Sequence, residues 1–514
     1  MGFAVANSDI VGAQGKRPPA GSHKAPSGAS LALLIPVALL YWQVGGPSSL
    51  LTDPNTGVHV RTGNWILAHR SVPRQDLFSF AIAGRPWCDW EWLSDLIYRL
   101  LHRWHGLAAI AAFSLAVLCV ISVLTYLTAR LHSGRIVALA VTCLVMATTT
   151  IHWLARPHLL TWLFVALFCW AIERARVSGD GKPLLALPVL MILWVNLHPG
   201  FLAGVFIPGV RCAAEVVRCR LGVDQGEIGE ARNWSRSFGF TALACLAATM
   251  VNPYGIQLHR HIAEYLLAPK SVTAEVAEWL SSDFHNQRLH WFELLLPLAA
   301  SAALWHGLRG RLAWCALTLA WMHLALTSVR NVPIFAIVCA APVASLIEHL
   351  VERSGLRDQF DLAEASLRSS TAATLLCWAV AGGFVAAVVC QRSLRLGPPS
   401  SLPVAAITHL PPGRLFTTDR WADYVIYADP GRKVFFDCRN DLYGPGFVKD
   451  YLALLRADHG WHQVAGKYAL SVALIPVESS IDSVLSTSAD WRLSYQDPTA
   501  AVFVRSTVLE RKPL

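Results

Sequence analysis

The residue types needed to move a group off a phosphate crowd into two stretches of the chain. Residues 52–63 (TDPNTGVHVRTG) hold Asp53, His59 and Arg61, and residues 86–95 (PWCDWEWLSD) hold Asp89 and Glu91 among three tryptophans. A positioned carboxylate can take a hydroxyl proton. An arginine presents a planar fork that matches phosphate oxygens, and aromatic platforms beside a few polar groups suit a sugar ring or an isoprenoid. Further polar residues stand between apolar runs: His152, Arg156 and His158; Asn196 and His198; Asn252; Arg330 and Asn331. Each alone reads equally as a helix cap, a snorkelling side chain or part of an aromatic belt, and only their recurrence argues for a site. The pair His259/His261 and the group Asp283, His285 and His290 are weak metal frames, because neither spacing puts the ligands on one helix face. The run 437–441 (DCRND) reads as a turn after a strand. No phosphate loop, dinucleotide fingerprint, nucleophile elbow or HExxH motif occurs.

Something must hold these residues together, and composition says what. Hydrophobic residues make up 54% of the 514 and charged residues only 15%, too few to solvate a soluble surface of this size. Apolar runs long enough to span or nearly span a bilayer occur near 31–50, 107–129, 135–155, 158–173, 183–198, 200–217, 238–254, 291–306, 312–327, 331–350 and 372–391, about eleven in all. This predicts a polytopic α-helical membrane protein with about eleven transmembrane helices. The net charge of +9 comes from short Arg-rich connections, among them Arg174, Arg176, Arg218, Arg220, Arg309 and Arg311. Those fall on one side if the basic tail, residues 1–30, is cytoplasmic; this is topology and excludes a nucleic-acid partner. Within 200–217, Arg211 is expected to pair with Glu215 one turn on.

The segments left outside are 52–106, 253–290 and the tail 392–514. Residues 31–391 form the membrane domain. A proline-rich linker, 398–412, leads to short β-rich runs at 414–416, 424–427, 433–437, 470–476 and 500–505 around a helix near 446–465, predicting a small extracytoplasmic α/β domain. Most of the 12 cysteines lie in apolar runs. Cys88 and Cys438 stand outside, where a disulfide or two free thiols are the alternatives.

The runs TDPNTGVHVRTGNWIL, SVPRQDLFSF, GRPWCDWEWLSD, RPHLLTWL, NLHPG, NPYG, EWLSSDFH, SVRNVPIFA and FFDCRNDLYG resemble, in order and over nearly all of the chain after residue 50, a group of bacterial polytopic membrane proteins. These are in turn similar to the C-type glycosyltransferases, which take a sugar from a polyprenyl-phosphate donor. The resemblance implies transfer to a glycan, lipid or protein acceptor at the outer face of a bacterial inner membrane. It matches Asp53 by position to the acidic residue of the first outer loop that acts as base or helps hold a metal, with Asn55 where a second acid is usual. On this reading Asp53 is the base, with Asp89 and Glu91 as alternates. Arg61, Arg156 and Arg330 hold the phosphate, while His59, His158 and His198 orient either partner. No cofactor is required, and a divalent metal ion stays open. The competing readings are a lipid-linked glycan transporter, an assembly scaffold, or a ligase or polymerase of surface polysaccharide.

Overall fold

The apolar runs fold as helices in a computed structural model that describes residues 23–222, 224–267 and 277–506. Most of the expected basic tail (1–22), a single residue at 223, the stretch 268–276 of the second outer segment, and 507–514 lie outside the described residues. The chain becomes regular ahead of residue 31. A short strand β1 (His23–Ala25) pairs in parallel with β2 (Leu367–Ser369), and Ser27 then caps α1 (Gly28–Leu39) by accepting from the Ser30 N–H. The helices that follow are α2 (Asn55–His69), α3 (Trp92–Arg130), α4 (Arg135–Thr149), α5 (His158–Ser178), α6 (Leu187–Val195), α7 (Leu202–Leu221), α8 (Gln225–Ala248), α9 (Ile256–Leu267), α10 (His290–Leu308), α11 (Leu312–Thr327), α12 (Val332–Val338), α13 (Ala340–Arg353), α14 (Arg357–Ser366) and α15 (Thr371–Val389).

Among the described residues, five helices are long and apolar enough to cross a membrane: Trp92–Arg130, Arg135–His152, His158–Ser178, Pro199–Leu221 and Thr371–Val389. The pair 329–353, bent by 52°, makes a sixth if it is one span. The other expected runs are helical too but do not reach that length or apolarity. In α3 the amphipathic and apolar halves meet at a break, where His105 leaves helical geometry and Gly106 takes a φ of +63° that L side chains rarely adopt. Arg211 does not pair with Glu215. It reaches across to Glu173 of α5, a carboxylate buried at 3% exposure, while Glu215 meets Arg218 at 2.9 Å and Arg176 at 3.5 Å. A charge inside the helical body pairs with the buried acid facing it rather than with a neighbour on its own surface.

The first outer segment is not a loop. Helix α2 fills much of it, wedged between α3 and the tail. A Cβ on Gly63 would stand 2.1 Å from the Asp95 carbonyl oxygen, and one on Gly57 would stand 2.6 Å from Tyr427 Cβ, so both glycines permit the approach.

The tail contains β3 (Leu415–Thr417), α16 (Asp419–Ala428), α17 (Pro445–Leu455), α18 (Trp461–Lys467), β4 (Val472–Pro476), α19 (Ser480–Thr487), β5 (Trp491–Gln496) and β6 (Ala500–Arg505). Its sheet runs β3-β4-β6-β5, with β3 parallel to β4 and the remaining pairs antiparallel. Two of the expected strands are not strands. Residues 424–427 are helical within α16, where buried Trp421, Ala422, Val425 and Ile426 follow a helical period rather than an alternation. Residues 433–437 are no strand of the sheet but a bridge: Val434 N–H donates to the Phe78 carbonyl at 2.9 Å, and Phe435 N–H donates to the Leu415 carbonyl at 3.1 Å. The single helix expected near 446–465 is two, α17 and α18.

Alternation along β3, β4 and β6 divides two cores. Leu415, Val472, Leu474, Ala500 and Val502 belong to the core that continues through the membrane helices. Phe416, Ala473, Ile475, Ala501 and Phe503 pack with Phe435, Phe436, Tyr451 and Trp461 on the opposite face. The clasp between tail and first outer segment is Arg439. It donates to Asp437 at 2.7 and 2.9 Å and to Asp76 at 2.6 Å, with its guanidinium over the rings of Trp87 and Phe78. Asp76 and Asp437 side chains are fully buried. We therefore expect Arg439→Met to cost about 3–5 kcal/mol, because it leaves two buried carboxylates without their cation. Thermal unfolding of the detergent-solubilised protein checks this, and an unchanged midpoint would refute the clasp.

Candidate functional site

Helix α2 and several connections between helices deliver the side chains. The turn after α6 docks onto the start of α3. Trp92 Nε1 donates to Asn196 Oδ1 at 2.9 Å, Leu93 N–H to the Asn196 carbonyl at 3.2 Å, and Ser94 Oγ to the Leu197 carbonyl at 2.6 Å. His198 thereby comes to stand beside Glu91, with its Nε2 3.4 Å from Glu91 Oε1. Its tautomer is set from behind. Trp194 Nε1 donates to Thr161 Oγ1, whose hydroxyl sits 2.8 Å from His198 Nδ1, and the Gly200 N–H donates to that same Nδ1 at 3.0 Å. The proton of the neutral ring is therefore on Nε2, aimed at Glu91. From the other side His59 faces the same carboxylate, Nε2 to Oε2 3.9 Å, while its Nδ1 lies 2.6 Å from Asp95 Oδ1.

The second half of the site is an arginine bridge. Arg156 Nη1 lies 3.0 Å from Asp53 Oδ2 and 2.5 Å from Glu278 Oε1, and His152 Nε2 stands 3.7 Å from the same Glu278 oxygen. Asp53 is braced by the Asn55 N–H, which donates to its Oδ1 at 2.9 Å, and the Asn55 amide reaches Cys438 Sγ at 2.6 Å. Arg330 lies over the Trp279 ring at 4.5 Å and within electrostatic reach of Glu278 and Glu91. An aromatic wall continues from Trp279 to Tyr265 and Trp90, with centroids 5.8 and 5.7 Å apart.

Burial and charge set the protonation states. Burial lifts the Glu91 carboxyl above its ordinary value, against the pull of the neighbouring Arg156 cation. Asp89 is pushed well above by burial and by Asp95; one of its oxygens is buried without a partner. Glu278 goes the other way: burial raises it, but Arg156, His152 and Arg330 more than reverse this and bring it to about 2. Burial lowers His59 to about 4, so its ring is neutral at pH 7. Burial drives the Cys438 thiol well up, and Cys88 to about 12. Both thiols are free.

Of the residues expected from sequence, Asp53, Glu91, His59, Arg156, His198 and Arg330 converge, and His158 stands behind them with its ring 4.6 Å from His152. Asp89 adjoins the cluster, held at its N–H by the Tyr254 hydroxyl at 2.9 Å. Arg61 does not join. It points to the tail, where it donates to the Pro430 carbonyl at 3.4 Å. Glu278 and Asp95 were not singled out in sequence. Asp95 ends the acidic run 89–95, and Glu278 precedes the Trp that Arg330 covers, so an excess of basic candidates over acids was the available signal. Among the described residues no three His, Cys, Asp or Glu side chains group as a metal site. Asp53 and Glu278 are committed to a guanidinium and His198 presents a proton, so this donor set does not fit a divalent ion.

No protein-family model matches the chain, and no curated protein matches it in sequence. Solved structures do match. The Archaeoglobus fulgidus oligosaccharyltransferase AglB, in complex with an inhibitory peptide and a dolichol-phosphate, aligns over 95% of this chain and 74% of its own at 12% identity and TM-score 0.57. The same enzyme tethered to an acceptor peptide containing the NVT sequon aligns over 88% and 69% at 13% identity and TM-score 0.58. ArnT from Cupriavidus metallidurans aligns over 94% and 99% at 14% identity and TM-score 0.45. The chain therefore shares its fold with AglB.

Proposed function

We propose that the protein is a membrane glycosyltransferase that moves a sugar from a polyprenyl-phosphate donor to a hydroxyl of a glycan, lipid or protein acceptor. The observation that carries this reading is the Asp53–Arg156–Glu278 bridge set against the Glu91–His198 pair, which puts carboxylates able to serve as base beside a cation able to hold a phosphate in one partly buried cluster. The fold supports it, since a solved relative holds a dolichol-phosphate. In the proposed reaction the donor phosphate draws Arg156 toward itself, with Arg330 as a second cation. Asp53 then takes the acceptor's hydroxyl proton as that oxygen bonds to the anomeric carbon, and the carbon–phosphate oxygen bond breaks with its electron pair leaving on polyprenyl phosphate. Glu91 and Asp89 are the alternate bases. No step is routed through a metal. The protein is placed in a bacterial inner membrane with about eleven spans, a cytoplasmic N-terminus and an extracytoplasmic tail. A reporter fused after residue 391 tests that placement and should be active outside; a cytoplasmic signal would split the site between faces.

Asp53→Asn keeps size and hydrogen-bonding reach but cannot act as a base. Transfer from a labelled polyprenyl-phosphate sugar should fall about a hundredfold to ten-thousandfold while donor binding survives. Arg156→Ala should weaken binding and turnover together, because the phosphate is held before and during transfer. Full activity of Asp53→Asn with an inactive Glu91→Gln moves the base to Glu91. Full activity of Asp53→Asn, Asp89→Asn and Glu91→Gln alike favours a non-enzymatic carrier.

His59 gives a pH signature. Its folded pKa of about 4 lies below the ordinary 6.5 of histidine, so the unfolded chain takes up a proton first as pH falls. Stability should therefore decline between pH 6.5 and 4, by up to about 3 kcal/mol from this group. His59→Gln should flatten that decline in thermal unfolding at pH 7 against pH 4.5; an unaltered slope would show that the ring titrates normally.

A further inference from the structure

A cavity of about 440 Å³ lies away from the candidate site, lined by His102, Trp104, His105, Gly106, Arg392 and Tyr427. None of Asp53, Glu91, Arg156 or Glu278 lines it. Three parts of the fold meet there: the break in α3, the chain just past the end of α15 at Val389, and α16 of the tail. Gly106 marks the change from the amphipathic start of α3 to its apolar length, and α15 is among the helices long and apolar enough to cross a membrane. The cavity therefore opens at the membrane boundary on the tail's side. Trp104, at 64% exposure, lies in the position of an interfacial anchor. Leu107 and Leu394 give the cavity an apolar floor.

Its charge is one-sided. Burial, and then the Arg99 charge, push Arg61 below its ordinary value. Arg99 precedes the cavity-lining His102 by three residues on α3, which puts the two on one face of the helix. The Nε atoms of Arg61 and Arg99 are buried without a partner. The Tyr427 hydroxyl and His102 Nε2 share a hydrogen bond at 3.0 Å, and Asp429, the acid next to Pro430, is taken by Arg432 at 2.8 Å. Among the described residues no carboxylate pairs with Arg61, Arg99, Arg392 or Arg395. Arg392 in the lining and Arg99 one turn from His102, both at headgroup depth beside an apolar floor and without a paired carboxylate, suit an anion that carries its own hydrocarbon.

We propose that this cavity binds the phosphate of an anionic phospholipid from the leaflet on the tail's side, at a site separate from the donor site. The lipid would brace the junction of α3, α15 and α16, and its binding does not depend on the proposed transfer reaction.

The test uses the full chain, purified and reconstituted with phosphatidylglycerol or phosphatidylcholine, with retained lipid counted by native mass spectrometry. Wild type should retain phosphatidylglycerol preferentially. Arg99→Gln/Arg392→Gln should lose about fivefold of that preference for each charge removed. If the double variant does not fold, the exposed single Arg392→Gln should still lose about fivefold. Arg309→Gln/Arg311→Gln, far from the cavity, should keep the preference. Equal retention of the two lipids by wild type, or an unchanged preference in the cavity variants, overturns the proposal. Displacement of the lipid by millimolar inorganic phosphate alone would keep a phosphate site but overturn the lipid as its occupant.

Discussion

A guanidinium shut into a protein near the membrane boundary must be neutralised where it stands, and Arg156 meets that demand with two carboxylates from far apart in the chain. Asp53 follows the first helix, Glu278 lies in the second outer segment, and Arg156 opens the turn into α5. Desolvation lowers this arginine's pKa, but the acids around it, Glu278 and then Asp53, hold it well above the ordinary value. Because an uncompensated buried charge costs several kcal/mol, the three segments have little freedom to part. The turn carrying His198, the aromatic wall and Arg330 are arranged around that fixed point. Arg156 Nε remains buried without a partner, so the bridge still has a donor to offer a ligand.

The tail domain obeys a related constraint. Its central strands are apolar on both faces, and one face belongs to a core that runs through α16 and the linker into the membrane helices. It is therefore part of the body's core rather than a tethered appendage. The peptide bridge through Val434 and the Arg439 clasp add directional contacts to that burial. His261 of α9, 2.9 Å from Asp441, ties the second outer segment to the same turn. The mouth of the site is thus walled by three segments that cannot drift independently.

How much of this was legible in the sequence depends on the range of the interaction. Apolar runs report burial locally, so the helices could be read from composition, and the break in α3 from the change to apolar residues at Leu107. Pairing is long-range, so Glu278 and Asp95 gave no local sign of their partners, and Arg211 was matched to the nearest acid in sequence rather than to Glu173 on the facing helix. Arg61 shows the same limit within one motif. It is two residues from His59, and on a helix two residues turn the side chain by about 200°, so when 55–69 folds as α2 the histidine faces the site and the arginine faces the tail. Had those residues been a loop, as expected, both could have reached the phosphate. The tryptophans of 86–95 divide as well: Trp87 lies under Arg439, Trp92 binds Asn196, and Trp90 alone faces the aromatic wall.

The two acids that share Arg156 are not equivalent, and their difference bears on the proposed reaction. Glu278 lies closer, at 2.5 Å against 3.0 Å for Asp53, and its carboxyl is held at about 2 by the surrounding cations. It is a permanent anion over the whole physiological range, suited to keeping Arg156 in place and poorly suited to accepting a proton. Glu91, across the mouth, is displaced in the opposite direction by burial and is met by a histidine proton whose orientation Thr161 and Gly200 fix. Environments that push carboxylates apart in this way separate the roles of fixed charge and proton carrier. In the proposed reaction a donor phosphate competes for Arg156 with whichever acid holds it less firmly. That acid is Asp53, so the arrival of the donor would itself free the base that the transfer needs.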